Sequence, residues 1–332
     1  MEAESLSARL LSMETHYDTL IIGGACAGLA AGTYAGRRAM KTLIITKDVG
    51  GQISTTPSVE NYPAIDFTTG PELAQDMLMQ AMKWGAEVQY DEIIRIEKRG
   101  EQDFMVTGDK GSYYGKSLIL AYGKTPRNLD VPGEKKYAGK GVSYCVTCDA
   151  PLFRNRTVVV VGGGSSALEG ALILSKVAAK VYLVHRRDEF RGEEVLIAQM
   201  KAEPKIEPVL SSVTQEVLGD GTYVTGLRVE NINDNTTQDL TVDGVFVEIG
   251  FIVNSALIKG LVELDRLNQV ITNKKMETST SGIFACGDLT DSPYKQAVIS
   301  AGEGATAALT AYSYINDGRP AGVDWTAHPT SR

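Results

Sequence analysis

The sequence predicts an α/β protein with two dinucleotide-binding units, because a strand-like apolar run followed by a glycine-rich loop occurs twice. Apolar runs at 17–22 and 157–161 have the length of buried parallel strands, and each leads directly into a glycine-rich loop. A helix-like segment and a second apolar run follow each loop, which completes a βαβ unit. The length of 332 residues also favours about two domains, each large enough to bury a core.

The first loop, at 23–28, departs from the dinucleotide fingerprint at one position. Ala25 stands where the fingerprint has its second glycine, at which the backbone approaches the pyrophosphate. A small-residue helix is predicted over 29–38, and the next strand, 42–46, lacks the usual acidic residue at its end. We interpret this unit as nucleotide-binding, with a plain glycine-rich turn as the alternative.

The second loop, at 162–167, is the cleaner match, and its unit carries arginines at the discriminating position. The next strand is predicted at 180–184, and the sequence HRRDEFR follows it at 185–191. An acidic residue there would hydrogen-bond the ribose hydroxyls of NAD, whereas a guanidinium group pairs with a 2′-phosphate through two hydrogen bonds. The sequence therefore predicts an NADP site, with a solvated basic surface as the alternative.

Cys145 and Cys148 lie between the two loops and are followed directly by Asp149. This spacing can close a disulfide within one turn, and the thiolate of such a pair is the attacking species in disulfide exchange. A carboxyl group next to the second cysteine is well placed to move protons. A structural zinc site needs about four nitrogen or sulfur ligands, and neither Cys26, Cys286 nor the histidines form a second motif. The motif thus predicts a redox pair and no metal.

Bulk composition narrows the possible partners and compartments. The net charge of -8 argues against a nucleic-acid or anionic-membrane surface, and no apolar run reaches the roughly 18 residues that span a bilayer. The acidic start lacks the basic region and apolar core of a signal peptide. Four cysteines in a chain of this length do not make a secreted disulfide framework. We expect a cytoplasmic protein without nucleic-acid or membrane partners.

The remaining segments predict that the first domain is interrupted by the second. A buried strand at 117–120 ends in turn residues, 222–229 suggests a small antiparallel insert, and 245–250 returns the chain to the first domain. Two nucleotide units with one built for NADP favour a flavin domain and a pyridine-nucleotide domain. The predicted division is an extension at 1–16, an FAD-binding domain at 17–125 and 253–332, and an NADPH-binding domain at 126–252.

At this point the chain resembles the low-molecular-weight thioredoxin reductases, from residue 17 to about residue 316. The resemblance rests on several motifs in the right order, which are GGQI at 50–53, VENYP at 59–63, CVTCD at 145–149, HRRDEFR at 185–191, FACGD at 284–288 and YKQA at 294–297. It implies two Rossmann-like domains of the three-layer ββα type, with the NADPH domain inserted into the FAD domain.

Carried over residue by residue, the resemblance implies two cofactor sites and a catalytic pair. The residues implied for FAD are Gly23, Gly24, Ala25, Cys26, Ala27, Gly28, Thr46, Gly51, Gln52, Asn61, Gly287, Asp288, Lys295, Gln296 and Ala297. Those implied for NADPH are Gly162, Gly164, Ser165, Ser166, Ala167, His185, Arg186, Arg187 and Arg191. Cys148 corresponds to the cysteine that receives electrons from the flavin, Cys145 to the one that attacks the partner's disulfide, and Asp149 to the acid–base residue.

The activity implied is reduction of thioredoxin or a thioredoxin-like protein by a homodimer whose domains rotate against each other during the cycle. Three alternatives remain open: a dithiol oxidase that uses oxygen, a reductase supplied by ferredoxin or a deazaflavin, and a non-catalytic nucleotide-sensing redox protein. The arginines at 185–191 weigh against the first two.

Several residues depart from the family pattern. Ala25 and Cys26 replace a Gly-Pro pair, Tyr122 and Lys124 replace small residues near the flavin, and Lys295 stands where arginine is common. The segment 251–254 also lacks the usual proline before its asparagine. Cys26 and Cys286 both fall in FAD-lining segments, where they are either small buried hydrophobes or a second redox pair.

Overall fold

The computed structural model describes residues 15–56 and 59–319. Most of the predicted extension at 1–16, and the last part of 253–332, lie outside the described residues. His16 already belongs to the fold, since it pairs with Tyr114 at the edge of a sheet.

The described chain divides into two compact units. The first comprises 15–54, 62–124 and 253–319, and the second comprises 55–56, 59–61 and 125–252. The second unit therefore interrupts the first in sequence. Asn61 groups with the second unit, and its predicted place in the FAD site stays a prediction.

The structure confirms the α/β class. The helices are α1 (Cys26–Arg37), α2 (Gly70–Lys83), α3 (Val146–Asp149), α4 (Ser165–Ser175), α5 (Glu194–Ala202) and α6 (Ala297–Ile315). The strands of the first unit are β1 (His16–Tyr17), β2 (Thr19–Gly24), β3 (Thr42–Val49), β4 (Glu87–Tyr90), β5 (Ile93–Gly100), β6 (Asp103–Gly108), β7 (Ser112–Gly115), β8 (Leu118–Leu120) and β19 (Ile283–Ala285). Those of the second are β9 (Thr125–Pro126), β10 (Val142–Ser143), β11 (Thr157–Val161), β12 (Lys180–Val184), β13 (Ile206–Val209), β14 (Ser212–Gly219), β15 (Val224–Asn231), β16 (Thr237–Thr241), β17 (Gly244–Val247) and β18 (Phe251–Ile252).

A five-stranded parallel sheet in the order β19-β8-β2-β3-β4 forms the centre of the first unit. Side chains of a strand alternate between faces, so Leu20 and Ile22 share one core with Phe104 of the smaller β-sheet. Ile21 points the other way, into a core with Leu29 of α1 and Ala307 of α6. The unit is thus a three-layer ββα arrangement.

The second unit repeats this plan with the parallel order β10-β17-β11-β12-β13 and a three-stranded antiparallel sheet, β14-β15-β16. Val158 and Val160 of β11 pack in one core with Leu168 of α4. Val159 and Val161 pack in the other core, on the opposite face of the sheet.

Several element boundaries differ from the predicted ones. The first helix begins at Cys26 rather than at residue 29, because its small residues pack from the first turn, and β3 continues to Val49. The predicted antiparallel insert is real, and β15 runs over Val224–Asn231. Among the described residues no helix combines the length and the apolar character that crossing a membrane requires.

Candidate redox and nucleotide sites

Cys145 and Cys148 form a disulfide, as the spacing predicts. Their Cα atoms are 5.3 Å apart, and both side chains are partly exposed. Cys145 is the N-cap residue of α3, a single helical turn that contains Cys148 and Asp149 and packs against α4. The turn brings the two sulfur atoms together on a surface that another molecule can reach.

Asp149 is buried at 9% exposure immediately after the disulfide. Its Oδ2 accepts a hydrogen bond of 2.6 Å from the Ser143 hydroxyl, and its Oδ1 has no partner in the described part of the chain. Burial raises the pKa of Asp149 above its ordinary value, and the Ser143 hydrogen bond opposes that rise. The carboxyl group is therefore set to change protonation nearer neutral pH than an exposed aspartate.

A second buried carboxylate fixes the segment in front of the disulfide. Glu134 accepts hydrogen bonds of 2.8 Å from the backbone of Leu129 and of Asp130, and one of 3.0 Å from the Tyr144 hydroxyl. Sequence reasoning missed both Ser143 and Glu134. The signal for Ser143 was a hydroxyl two residues before the first cysteine, whereas Glu134 lies outside any motif.

The glycine loop of the second unit has no room for side chains at its first two positions. A Cβ at Gly162 would lie 2.3 Å from the Glu248 carbonyl oxygen, and one at Gly163 would lie 2.1 Å from Nδ1 of His185. Gly164 faces open space and is the N-cap of α4, whose first turn includes Ser165 and receives no side-chain cap from the described residues. A close-packed loop at a free helix N-terminus suits a phosphate group.

The His185 ring packs against this loop at Gly163. Its ring is 9% exposed, stacks on Phe190 with centroids 5.6 Å apart, and has an Nε2 atom that no described residue hydrogen-bonds. Burial lowers the pKa of His185, helped by the charges of Arg186 and Arg191 and opposed by a backbone hydrogen bond at Glu189. The imidazole is thus held neutral beneath the loop.

The three arginines in the segment 185–191 carry positive charge that is available to a ligand. Arg186 and Arg191 are exposed and Arg187 is partly exposed, and within the described residues none of the three forms an ion pair. The Arg191 backbone N–H donates to the Gly163 carbonyl at 2.8 Å, which ties the arginine turn to the glycine loop. This combination fits a nucleotide with an additional phosphate.

The glycine loop of the first unit is packed in a similar way. A Cβ at Gly23 would lie 2.4 Å from the Ala121 carbonyl oxygen, and one at Gly28 would lie 1.8 Å from that of Gly23. Ala25 is the N-cap of α1 and has φ -103°, which any L-residue adopts, and no side chain of residues 15–56 and 59–319 caps the helix. The departure from glycine at Ala25 therefore strains nothing, and the helix N-terminus can still receive a phosphate.

The first loop gathers other predicted FAD residues around it. A Cβ at Gly24 would lie 2.8 Å from the Thr46 side chain, and one at Gly51 would be 3.4 Å from the Cβ of Ala25. Gln52 Nε2 donates to the Lys124 carbonyl at 2.6 Å. Thr46 and Gly51 thus lie against the loop that follows β2, and Gln52 reaches the segment that follows the neighbouring strand β8. A nucleotide binds at this carboxyl edge of the sheet in folds of this type.

The turn at 286–288, which comes late in the chain, packs against the first glycine loop. Gly287 has φ +76°, and a Cβ there would lie 2.9 Å from the Cβ of Ala27. Asp288 Oδ1 accepts from the Ser300 hydroxyl at 3.3 Å, near the start of α6, whose N-cap is Gln296. Lys295 Nζ donates to the Thr290 carbonyl at 2.6 Å. Burial lowers the pKa of Lys295, and the negative charge of Asp288 opposes that decrease.

The two remaining cysteines and Tyr122 line the first unit from inside. Burial raises the pKa of Cys26 to about 11 and also raises that of Cys286, so both thiols stay protonated. The Tyr122 hydroxyl donates to the Asn254 carbonyl at 3.2 Å, and burial raises its pKa. In the part of the chain that the structure describes, no group of histidine, cysteine and acidic residues could hold a metal ion.

Comparisons with known proteins match this arrangement. The model of the pyridine nucleotide-disulphide oxidoreductase family matches residues 17–304. A thioredoxin reductase from Peptoclostridium acidaminophilum is 40% identical over 310 residues, with 91% of this chain and 98% of that protein covered. The crystal structure of thioredoxin reductase from Streptococcus pyogenes is 38% identical, with a TM-score of 0.87 over 91% of this chain and 99% of that one.

Some curated relatives are longer than this chain. One component of the alkyl hydroperoxide reductase of Pseudomonas aeruginosa is 37% identical over 318 residues, which cover 95% of this chain. The chain spans 60% of that protein's length, or about three fifths.

Two glycine loops at the ends of parallel strands and one partly exposed disulfide are features of the flavoprotein oxidoreductases that use FAD and NADPH. The chain belongs to the pyridine nucleotide-disulphide oxidoreductase family.

The contact between Gly163 and His185 makes a prediction about folding. Gly163→Ala should destabilise the protein by about 1–3 kcal/mol, because the new methyl group overlaps a buried ring that is held by Phe190. Urea unfolding of Gly163→Ala, His185→Ala and the double variant measures the effect. The double variant should lose less stability than the sum of the single losses, and simple additivity would contradict this contact.

Proposed function

We propose that the protein is an NADPH-dependent thioredoxin-disulfide reductase. The observation that carries the proposal is the Cys145–Cys148 disulfide with a buried, protonatable Asp149 in the same turn. A partly exposed disulfide alone would suit a structural crosslink. A carboxyl group whose pKa is raised beside it is the arrangement that thiol chemistry near neutral pH needs.

The overall reaction balances as NADPH, a proton and a protein disulfide giving NADP⁺ and a protein dithiol. When bound, NADPH and FAD supply the two electrons that convert the Cys145–Cys148 disulfide into a dithiol. The residues proposed for FAD and NADPH are those of the two loops and their neighbouring turns named above. Their fit rests on the close-packed glycines and on the two helix N-termini, which no described side chain caps.

The cysteines then carry out disulfide exchange on the partner. The Cys145 thiolate attacks one sulfur of the partner's disulfide, so that a mixed disulfide forms and one partner thiolate leaves. The Cys148 thiolate next attacks Sγ of Cys145, which releases the second partner thiolate and re-forms the internal disulfide. Asp149 gives and takes the proton that Cys148 gains and loses, which its burial at the end of α3, next to Cys148, supports.

The proposal includes NADPH as the physiological donor, because three arginines follow β12 where a ribose-binding acid would otherwise stand. A dithiol oxidase, or a reductase supplied by ferredoxin or a deazaflavin, would have no use for this cluster. The partner we propose is thioredoxin or a thioredoxin-like protein, and the setting is the cytoplasm.

A homodimer is part of the proposal. An open groove of about 500 Å³ lies among α1, α2 and α6, and its lining is mostly apolar. Tyr34, Met77 and Val298 are among its side chains. An apolar groove of this kind supports association with a second copy of the chain.

The roles of the two cysteines can be separated by trapping. In Cys148→Ser the Cys145 thiolate can still attack the partner, but nothing resolves the mixed disulfide, so a covalent adduct with thioredoxin should accumulate. Cys145→Ser should form none. Non-reducing gels and intact-mass measurement of the reduced variants with oxidised thioredoxin detect the adduct, and the opposite pattern would reverse the two assignments.

Asp149→Asn should slow thioredoxin reduction by about 100- to 10,000-fold, the usual contribution of a positioned acid–base group. Reduction of the flavin by NADPH should remain near its wild-type rate, because that step does not use this proton. Stopped-flow absorbance separates the two steps. Wild-type turnover by Asp149→Asn would remove the residue from the mechanism.

Each of Arg186→Ala, Arg187→Ala and Arg191→Ala should weaken NADPH binding by about 10- to 150-fold, since a hydrogen bond to a charged group contributes about 1.5–3 kcal/mol. Binding of NADH should barely change, because it has no 2′-phosphate. Titration with both nucleotides measures the effect. Arg156→Ala is the matched control. Arg156 lies directly before the first residue of β11, at the end of the strand away from the glycine loop, and it pairs with Asp243. Equal losses for both nucleotides would refute the assignment.

A further inference from the structure

The hydroxyl of Ser143 occupies a fixed place between the attacking cysteine and the acid–base residue. Ser143 is 6% exposed and ends β10, where it is paired in register with Phe246 of the neighbouring strand. Its Oγ accepts from the Cys145 backbone N–H at 3.1 Å and donates to Oδ2 of Asp149 at 2.6 Å.

These contacts settle which way the hydroxyl proton points. A serine hydroxyl has a single proton to donate, and the Cys145 N–H can only be a donor to it. The other acceptor within reach is the Cys145 carbonyl at 3.4 Å, which is much farther away than Asp149. The short bond to Oδ2 is therefore the donated one, and it is strongest when Asp149 is ionised.

The other carboxyl oxygen stands in a different state. Oδ1 of Asp149 is buried and has no hydrogen-bond partner among the residues that the structure describes. An ionised carboxylate with one oxygen tied down and the other unpaired binds a proton most readily at the unpaired oxygen. The two oxygens of Asp149 thus differ in what they can do.

No other charge competes for this carboxyl group among the described residues. Glu134 and Tyr144 are paired with each other, and only burial and Ser143 act on the Asp149 carboxyl. Glu169 and Lys176 lie on or next to α4, the helix that packs against α3, and among the described residues neither forms a hydrogen bond or ion pair with Asp149. Within the described chain, Ser143 is therefore the single side chain that opposes burial.

We propose that Ser143 is a positioning residue for proton transfer: its hydroxyl fixes Oδ2 of Asp149 and leaves Oδ1 as the oxygen that exchanges the proton. The catalytic role inferred for Ser143 rests on the proposed function. The hydrogen bond itself is a property of the folded protein, and it can be tested without turnover.

The first test is the stability of the oxidised protein as a function of pH. Ser143 stabilises the ionised form of Asp149 more than the protonated form, so Ser143→Ala should raise the pKa of Asp149 further. The loss of stability relative to wild type should be smallest at low pH, where only the pH-independent bond from the Cys145 N–H is lost. It should grow as pH rises through the Asp149 pKa of the wild type and then that of the variant, and should level off above both. In the Asp149→Asn background, Ser143→Ala should give a loss that does not change with pH.

The second test is the pH profile of thioredoxin reduction at saturating NADPH. The midpoint assigned to Asp149 should move upward by about one to two pH units in Ser143→Ala, the equivalent of one lost hydrogen bond to a charged group. Ser143→Thr, which keeps the hydroxyl, should restore the wild-type midpoint. Ser175→Ala is the matched control, because Ser175 is also buried in the same unit and its hydroxyl donates to the Leu172 carbonyl.

The outcomes separate the two ideas. A pH-dependent loss of stability in a protein that does not reduce thioredoxin supports the hydrogen bond and overturns the proposed function. A loss that is the same at every pH, or that persists unchanged in Asp149→Asn, overturns the role of Ser143 whatever the activity. Ser143→Val, which has the shape of threonine without the hydroxyl, serves if Ser143→Ala does not fold, and an unshifted midpoint in it also counts against the proposal.

Discussion

Both parallel sheets are buried on both faces, and this constraint decides where polar chemistry can occur. Along β11, Val158 and Val160 fill one core while Val159 and Val161 fill the other, so none of these four positions is open to a ligand. Polar and glycine residues can stand only where strands end. Ser143 ends β10, and Gly162 and His185 directly follow β11 and β12. In the second unit, the redox turn and the nucleotide loop therefore belong to one edge of one sheet.

In the two glycine loops, different neighbouring atoms exclude side chains from the glycine positions. In the first unit the backbone that follows β8 and the backbone of the loop itself forbid side chains at Gly23 and Gly28. In the second unit a buried imidazole occupies the space beside Gly163. The sequence fingerprint is the same kind of motif in both, but the physical cause of each glycine is specific to its unit.

Much of this organisation could be predicted from local spacing, and the rest could not. The loops, the CxxC turn and the α/β class follow from apolar runs and from motifs whose residues are close in sequence, whereas the three-layer ββα type was implied by the family resemblance. The bond from Ser143 to Asp149 depends on how β10 enters α3, and the role of Glu134 depends on a loop that carries no motif. The predicted start of helix α1 was three residues too late, because small residues such as Cys26 and Ala27 give little helical periodicity.

The state of the two spare thiols has a consequence for fidelity. A protein that repeatedly exchanges disulfides is exposed to its own chemistry, since any reactive internal thiol could capture an intermediate. Cys26 and Cys286 are buried and their raised pKa values keep them protonated, so neither offers the thiolate that exchange requires. In the proposed reaction, neither buried thiol therefore competes with the partner protein for the Cys145–Cys148 pair.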